Sequence, residues 1–315
     1  MKVLITNAVP DEHVAPLSGI AEVSMGPAGG DTMPRAEVLD HADELDGIIN
    51  QAELRVDAEL LDAAPKLRVV ANVAIGTDNL DLDLMARRGV WATNVPNAFV
   101  DSTADCTVGM VLAVARRLVE ADRYVRSGAW RSFQPGLWDG MELRGKQWGI
   151  IGYGKIGRAV AERARAFGVS VVAHDPAAVD VPEYRDLDDL LSGSDIVSVH
   201  VPLTDGTRGL IDADALASMK PGAILANLAR GPVVVEEALV ASLRDGRLAG
   251  AALDVFEEEP MVHPDLIEMA NVVLSPHIGG GTRESRKRAR LQCARNVAAV
   301  LSGRTPETPV NEASR

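Results

Sequence analysis

The sequence predicts an α/β chain of two domains, each built on a parallel sheet, with the second domain continuous inside the first. Three observations predict it. The chain has 315 residues, more than one domain usually holds. Short apolar runs alternate with longer amphipathic stretches, as in strand–helix–strand units with right-handed crossovers. That alternation stops once, after Pro96, and restarts at Gln147.

The first block reads as strands at residues 3–5, 47–49, 67–71 and 90–94. A proline- and glycine-rich stretch follows the first of them, then a polar helical pattern at 35–42, and a short helix falls at 57–64. From Asp101 to Val125 the pattern is helical and apolar on several faces, through Val108, Met110, Val111, Leu112, Val114 and Leu118. Asp101 or Ser102 would serve as its N-cap. A helix with so much apolar surface calls for cover from another domain or subunit. Residues 128–140, with three aromatics and Pro135, read as a loop. The second block places strands at 147–151, 170–173, 196–201, 223–228, 248–253 and 271–274, the strand count of a complete doubly wound sheet. A long helix at 283–301 closes the chain. The expected domains are 1–97 with 285–315, and 98–284.

Composition excludes several functions. With 47% hydrophobic and 24% charged residues the chain is an ordinary globular one. A formal charge of -13 and only 3% aromatics disfavour nucleic acid as a partner. Two cysteines, Cys106 and Cys293, are too few for a disulfide framework. No run is apolar enough for a signal peptide or a membrane span. A cytoplasmic protein with reduced thiols is expected.

Gly152-Tyr153-Gly154-Lys155-Ile156-Gly157 fits G-x-G-x-x-G, and the setting strengthens a hexapeptide that is weak alone. A strand runs into it and a helix leaves it, as a Rossmann dinucleotide-binding turn requires. The helix N-terminus then offers unpaired N–H groups to a pyrophosphate. Asp175 ends the next strand, about 20 residues on, where an acid bonds the adenine ribose and would repel a 2′-phosphate. NAD is the expected cofactor.

Three further segments follow predicted strands, at the sheet edge where ligands bind. They are Asn227-Leu228-Ala229-Arg230-Gly231, Asp254-Val255-Phe256-Glu257-Glu258-Glu259-Pro260 and Ser275-Pro276-His277-Ile278-Gly279-Gly280. Taken singly, each has an ordinary explanation: a paired arginine, a solvated acid run, a loop histidine. Together they bring an Arg, a Glu and a His to one edge. His174, His200 and His263 have no spacing that would build a metal site with His277, and no metal is expected. The basic run from Arg283 to Arg290 reads as a solvated or carboxylate-paired helix face.

With these segments, and with Ala74-Ile75-Gly76-Thr77-Asp78-Asn79-Leu80-Asp81 and His200-Val201-Pro202-Leu203-Thr204, the chain resembles the D-isomer-specific 2-hydroxyacid dehydrogenases over nearly its whole length. The resemblance implies a Rossmann-type domain inserted in a smaller, flavodoxin-like α/β substrate domain. It implies His277 as proton donor, Glu259 as its partner, and Arg230 with the N–H groups of Ile75 and Gly76 as the carboxylate site. Gly152, Gly154, Lys155, Ile156, Gly157, Asp175, Leu228, Asp254, His277 and Gly280 would line the cofactor site, with the Leu228 carbonyl and Asp254 at the nicotinamide carboxamide. His200 would line the cofactor cleft without reacting. Residues 101–125 match the family's dimerisation element, so a homodimer is expected. Gln51 stands where phosphoglycerate dehydrogenases carry an arginine for the substrate phosphate, with Glu53 close by. That favours a substrate with a small uncharged side chain, of the glyoxylate or hydroxypyruvate type. Phosphoglycerate and phosphite dehydrogenases of the same family, and an NAD-sensing corepressor-like binding protein, stay open as alternatives.

Overall fold

A computed structural model describes residues 1–313. Contacts divide the chain into a discontinuous unit, Met1–Phe99 with Gly281–Arg315, and a continuous unit, Val100–Gly280. The discontinuous unit opens with β1 (Lys2–Ile5), β2 (Glu22–Met25), α1 (Arg35–His41), β3 (Gly47–Asn50), α2 (Ala58–Ala63), β4 (Val69–Asn72), α3 (Leu82–Arg87) and β5 (Trp91–Thr93). Its sheet is parallel in the order β2-β1-β3-β4-β5, the flavodoxin-like order. β3 and β4 are buried along their whole length, which is why they read as unbroken apolar runs. β2 falls where the sequence shows no apolar run. It is an edge strand with Glu22 and Ser24 exposed, so half of it never needed to be hydrophobic. Asp57 and Asp81 cap α2 and α3 through Leu60 N–H at 3.3 Å and Leu84 N–H at 3.0 Å.

The continuous unit comprises α4 (Val100–Ala115), α5 (Leu118–Arg126), β6 (Gln147–Ile151), α6 (Lys155–Arg165), β7 (Ser170–His174), α7 (Leu187–Gly193), β8 (Ile196–Val199), α8 (Ala213–Ser218), β9 (Ala223–Asn227), α9 (Glu236–Arg244), β10 (Leu248–Leu253), α10 (Pro264–Glu268) and β11 (Val272–Leu274). Its parallel sheet runs β11-β10-β9-β8-β6-β7. The six expected strands are present, but they fill the sheet differently from the simple count. The place beyond β7 is held only by a parallel bridge between Ala173 and Tyr184, and β11 extends the opposite edge. Strand order reverses between β6 and β8, which places the ligand crevice at their carboxyl ends.

The helix expected over 101–125 is two helices. Arg117 turns left-handed, with φ 52°, where its guanidinium bonds Glu120 and the Leu137 carbonyl and lies over Trp138. The apolar face of α4 is covered within its own unit, by α6, β9 and β10. α5 buries no residue. α4 begins at Val100, so Asp101 and Ser102 lie in its first turn instead of capping it.

α11 (Arg283–Leu301) returns to the discontinuous unit and packs on β3 and β4. Thr282 and Ser285 form its capping box. Within its basic run Lys287 pairs with Glu12 at 2.9 Å, and Arg288 donates to the Ala98 carbonyl at 3.0 Å. Among the described residues, no helix is long and apolar enough to cross a membrane.

The core of the continuous unit holds one polar chain. Trp148 Nε1–H donates to Ser198 Oγ at 2.9 Å, and Ser198 Oγ meets His200 Nε2 at 3.0 Å. The His200 residue keeps some accessible surface, but its Nδ1 is buried without a partner. Burial pushes the imidazole down from 6.5 to about 3. Between those values the unfolded chain binds a proton that the folded chain refuses, so this histidine costs stability as pH falls from 6.5 towards 3. His200→Gln is expected to lose less stability than the wild type between about pH 7 and about pH 5, read as urea midpoints. Equal losses would show that the ring is not held neutral.

Candidate active site

The functional side chains of the continuous unit sit on three loops that leave the carboxyl ends of β9, β10 and β11. Asn227 shapes the first. Its Oδ1 accepts from Ala229 N–H at 3.1 Å, and its Nδ2 donates to the Arg230 carbonyl at 2.9 Å. Gly231 then lets this loop press against the second, because a Cβ there would stand 1.8 Å from the Phe256 carbonyl oxygen. Arg230 Nη1 donates to the Ala229 carbonyl at 2.8 Å. The second loop is tied back by Glu236, which is buried and accepts from Glu257 N–H at 2.7 Å.

His277 and Glu259 meet directly, Nδ1 to Oε2 at 2.7 Å. Glu259 Oε1 also accepts from Phe256 N–H at 3.1 Å. Burial works to raise the Glu259 carboxyl, but the bond to His277, its charge, the Phe256 N–H and the Arg230 charge together hold it below the ordinary 4.5. Glu259 is therefore ionised at neutral pH. The His277 side chain is half exposed, and its Nε2 is the ring nitrogen left for a substrate.

The third loop is organised by Asp254, which is 1% exposed. Its Oδ1 accepts from Ser275 Oγ at 2.5 Å and from Ile278 N–H at 2.8 Å, and its Oδ2 from Gly279 N–H at 2.6 Å. The Asp254 carbonyl accepts from His277 N–H at 2.9 Å. Gathering these donors puts His277 itself in the left-handed region at φ 53°, which an unbranched loop residue adopts only under constraint. Asp254, expected at the nicotinamide, is thus first of all the anchor of the His277 loop.

The glycine turn lies at the carboxyl end of β6 and opens into α6. A Cβ on Gly157 would fall 2.0 Å from the Gly152 carbonyl oxygen, whereas one on Gly154 would meet nothing within 4 Å. The helix thus packs close through Gly157 while Gly154 leaves its backbone open to a phosphate, which is the fit a dinucleotide needs. Lys155 and Ile156 form the first turn of α6. Asp175, at the end of β7, holds the turn through Tyr153 N–H at 2.8 Å and accepts from Ala177 N–H at 2.8 Å. Each oxygen keeps lone pairs for ribose hydroxyls. The Leu228 carbonyl meets no donor among the described residues, and Ser102 Oγ donates to the Gly280 carbonyl at 3.1 Å.

Ile75 and Gly76 belong to the discontinuous unit, in the loop after β4, where their carbonyls accept from Asn94 and Asn72. The structure therefore brings Arg230, Glu259 and His277 to one edge of one sheet and sets Ile75 and Gly76 at the corresponding edge of the other. Sequence reasoning missed Asn227, Glu236, Ser275, Asn72 and Asn94. Only Asn227 had a signal, the short Asn-x-x-Arg spacing of an Asx turn. Among the described residues, no group of three His, Cys, Asp or Glu side chains is placed to hold a metal.

A dinucleotide turn in a doubly wound sheet, with a His–Glu pair and an Arg beside it, defines a nicotinamide-dependent oxidoreductase. Comparison with known proteins narrows this. Residues 108–279 match the D-isomer specific 2-hydroxyacid dehydrogenase, NAD binding domain. A glyoxylate reductase of Thermococcus kodakarensis is 42% identical over 99% of this chain and 96% of its own length. One from Aeropyrum pernix is 44% identical over 88% of this chain and 86% of its own. A Thermus thermophilus crystal structure superposes with a TM-score of 0.94 at 41% identity, covering 98% of this chain and all of that one. An NADPH-dependent glyoxylate/hydroxypyruvate reductase of Sinorhizobium meliloti, solved with NADP and malonate, gives 0.85 at 32% identity over 99% and 97% of the two chains. The chain belongs to the D-isomer-specific 2-hydroxyacid dehydrogenase family, and it is an oxidoreductase that interconverts 2-oxo and 2-hydroxy acids with a nicotinamide dinucleotide.

Proposed function

We propose that this protein reduces a 2-oxo acid with a small uncharged side chain, of the glyoxylate or hydroxypyruvate type, with NADH, and that His277 is its acid–base group. The observation that carries the reading is the bond between His277 Nδ1 and an ionised Glu259. A dinucleotide held there would supply the hydride for the carbonyl carbon. Negative charge then develops on the carbonyl oxygen, and His277 Nε2 gives it a proton. Glu259 fixes the ring through Nδ1 and so leaves Nε2 directed at the substrate. Arg230 takes the substrate carboxylate and polarises the carbonyl, with the Ile75 and Gly76 N–H groups as further carboxylate donors. The Leu228 carbonyl and a remaining Asp254 lone pair would hold the carboxamide of the nicotinamide.

Substrate size rests on Gln51 and Glu53, which offer no cation to a phosphate, and on relatives named glyoxylate reductases. NAD over NADP rests on Asp175, whose carboxylate disfavours a 2′-phosphate. Dimerisation is assigned to α5 and the loop after it, where Leu118, Val125, Trp130, Phe133 and Leu137 are exposed. Two unpaired cysteines fit a reducing cytoplasm.

The direct test follows NADH and NADPH absorbance with glyoxylate, hydroxypyruvate, pyruvate and 3-phosphohydroxypyruvate. Rapid NADH oxidation with one of the first two is expected, and turnover confined to the phosphorylated acid would sink the substrate assignment. His277→Ala should lower kcat roughly 10²–10⁴-fold, and a change below about threefold would remove it from the acid–base role. Asp175→Ala should raise KM for NADH far more than for NADPH; equal effects would refute the ribose contact. Light scattering should report twice the mass of one chain, and a monomer at micromolar concentration would refute the dimer.

A further inference from the structure

In the loop after β4, the two backbone carbonyls are fully engaged and the two N–H groups are not. Asn94 Nδ2 donates to the Ile75 carbonyl at 2.7 Å, and Asn72 Nδ2 donates to the Gly76 carbonyl at 3.2 Å. The N–H groups of Ile75 and Gly76 meet no acceptor among the described residues. A peptide plane held by its carbonyl fixes where the next N–H points. Asn94, through the Ile75 carbonyl, therefore aims the Gly76 N–H, the Ile75 N–H is set by the Ala74 carbonyl, which accepts from Val95 N–H at 3.0 Å, and Asn72 holds the peptide plane that follows.

Both asparagines are themselves held. Asn72, wholly buried, shares a network of amides with Asn50 and Asn79. Asn50 Nδ2 and Asn79 Nδ2 each donate to Asn72 Oδ1, at 3.2 and 3.3 Å, and each also to the Leu54 carbonyl at 2.9 Å. Asn79 Oδ1 accepts from Asn72 Nδ2 at 2.6 Å. Asn94 is gripped from more than two hundred residues further along the chain. Thr308 Oγ1 donates to the Asn94 carbonyl at 2.6 Å, and Asn296 Nδ2 of α11 donates to Thr308 Oγ1 at 2.8 Å. Amides suit this task for a physical reason. Each carries both donor and acceptor, so the chain closes on itself without a buried charge that would repel or trap an anion.

We infer that Asn94 is a positioning residue for the carboxylate of the 2-oxo acid, acting through the Ile75 carbonyl on the Gly76 N–H, and that Thr308 anchors Asn94. The inference rests on the reading that the Ile75 and Gly76 N–H groups receive that carboxylate. It adds a structural duty to the segment around Thr308. Mispositioned donors lose binding to ground state and transition state alike, so KM should move more than kcat.

The test is steady-state kinetics with the preferred oxo acid, with oxalate as competitive inhibitor, on the wild type and on Asn94→Leu, Thr308→Val and Thr308→Ser. Asn94→Leu should raise KM and the oxalate inhibition constant roughly 10- to 100-fold. kcat should fall far less, and the NADH dissociation constant should stay unchanged. Thr308→Val should shift both constants in the same direction, and Thr308→Ser, which keeps the hydroxyl, should restore them. A folded Asn94→Leu with both constants within about twofold of wild type overturns the inference, even if its melting temperature drops. If Asn94→Leu does not fold, the Thr308 pair decides, and equal KM for Val and Ser overturns it. A wild type that binds NADH but turns over no oxo acid instead overturns the functional reading, and this inference with it.

Discussion

A buried carboxylate at Asp254 holds the reactive end of this molecule together. A polar side chain that is 1% exposed is expensive to bury unless it is hydrogen-bonded, and Asp254 accepts from Ser275 Oγ and the N–H groups of Ile278 and Gly279. Those donors all come from the short segment that carries His277. Drawing them in forces His277 into left-handed backbone, a strain of roughly 1–3 kcal/mol that the surrounding bonds must outweigh. The histidine's place, and with it the bond to Glu259, is a consequence of satisfying one acid.

Around that anchor the sheets supply direction. Every strand of both sheets is parallel, so all loops that follow strands emerge at one edge of each sheet. Loops crowded at one edge need close backbone approach, and glycine provides it where a Cβ has no room. Gly157 brings α6 against the phosphate turn, and Gly231 brings the Arg230 loop against the Phe256 carbonyl. Substituting either would push apart segments whose spacing the chemistry uses.

The two units solve the same problem with different groups. In the continuous unit a carboxylate and an Asx turn, Asp254 and Asn227, position side chains that carry charge. In the discontinuous unit asparagines hold backbone carbonyls of the loop after β4. Such networks are effective only when every member is satisfied, which explains why Asn72 has its amide and its Oδ1 both engaged.

The sequence by itself determined whatever depends on neighbours within a few positions. The parallel strands were legible because buried strands need continuous apolar runs, as in Ile48-Ile49 and Val69-Val70-Ala71. The glycine turn and the Arg230, Glu259 and His277 loops were legible because each motif is compact. Tertiary structure decided the rest. β2 escaped because an edge strand pairs on one side and can stay polar. The break at Arg117 escaped because the Leu137 carbonyl and Trp138 that hold it lie about 20 residues on. The duty of Asp254 and the chain from Thr308 through Asn94 to Ile75 escaped for the same reason, since they join residues 19 to 214 positions apart. Local pattern records what a residue must be to fit its own element. Which hydrogen bond a buried polar atom must find is set only when distant elements arrive beside it.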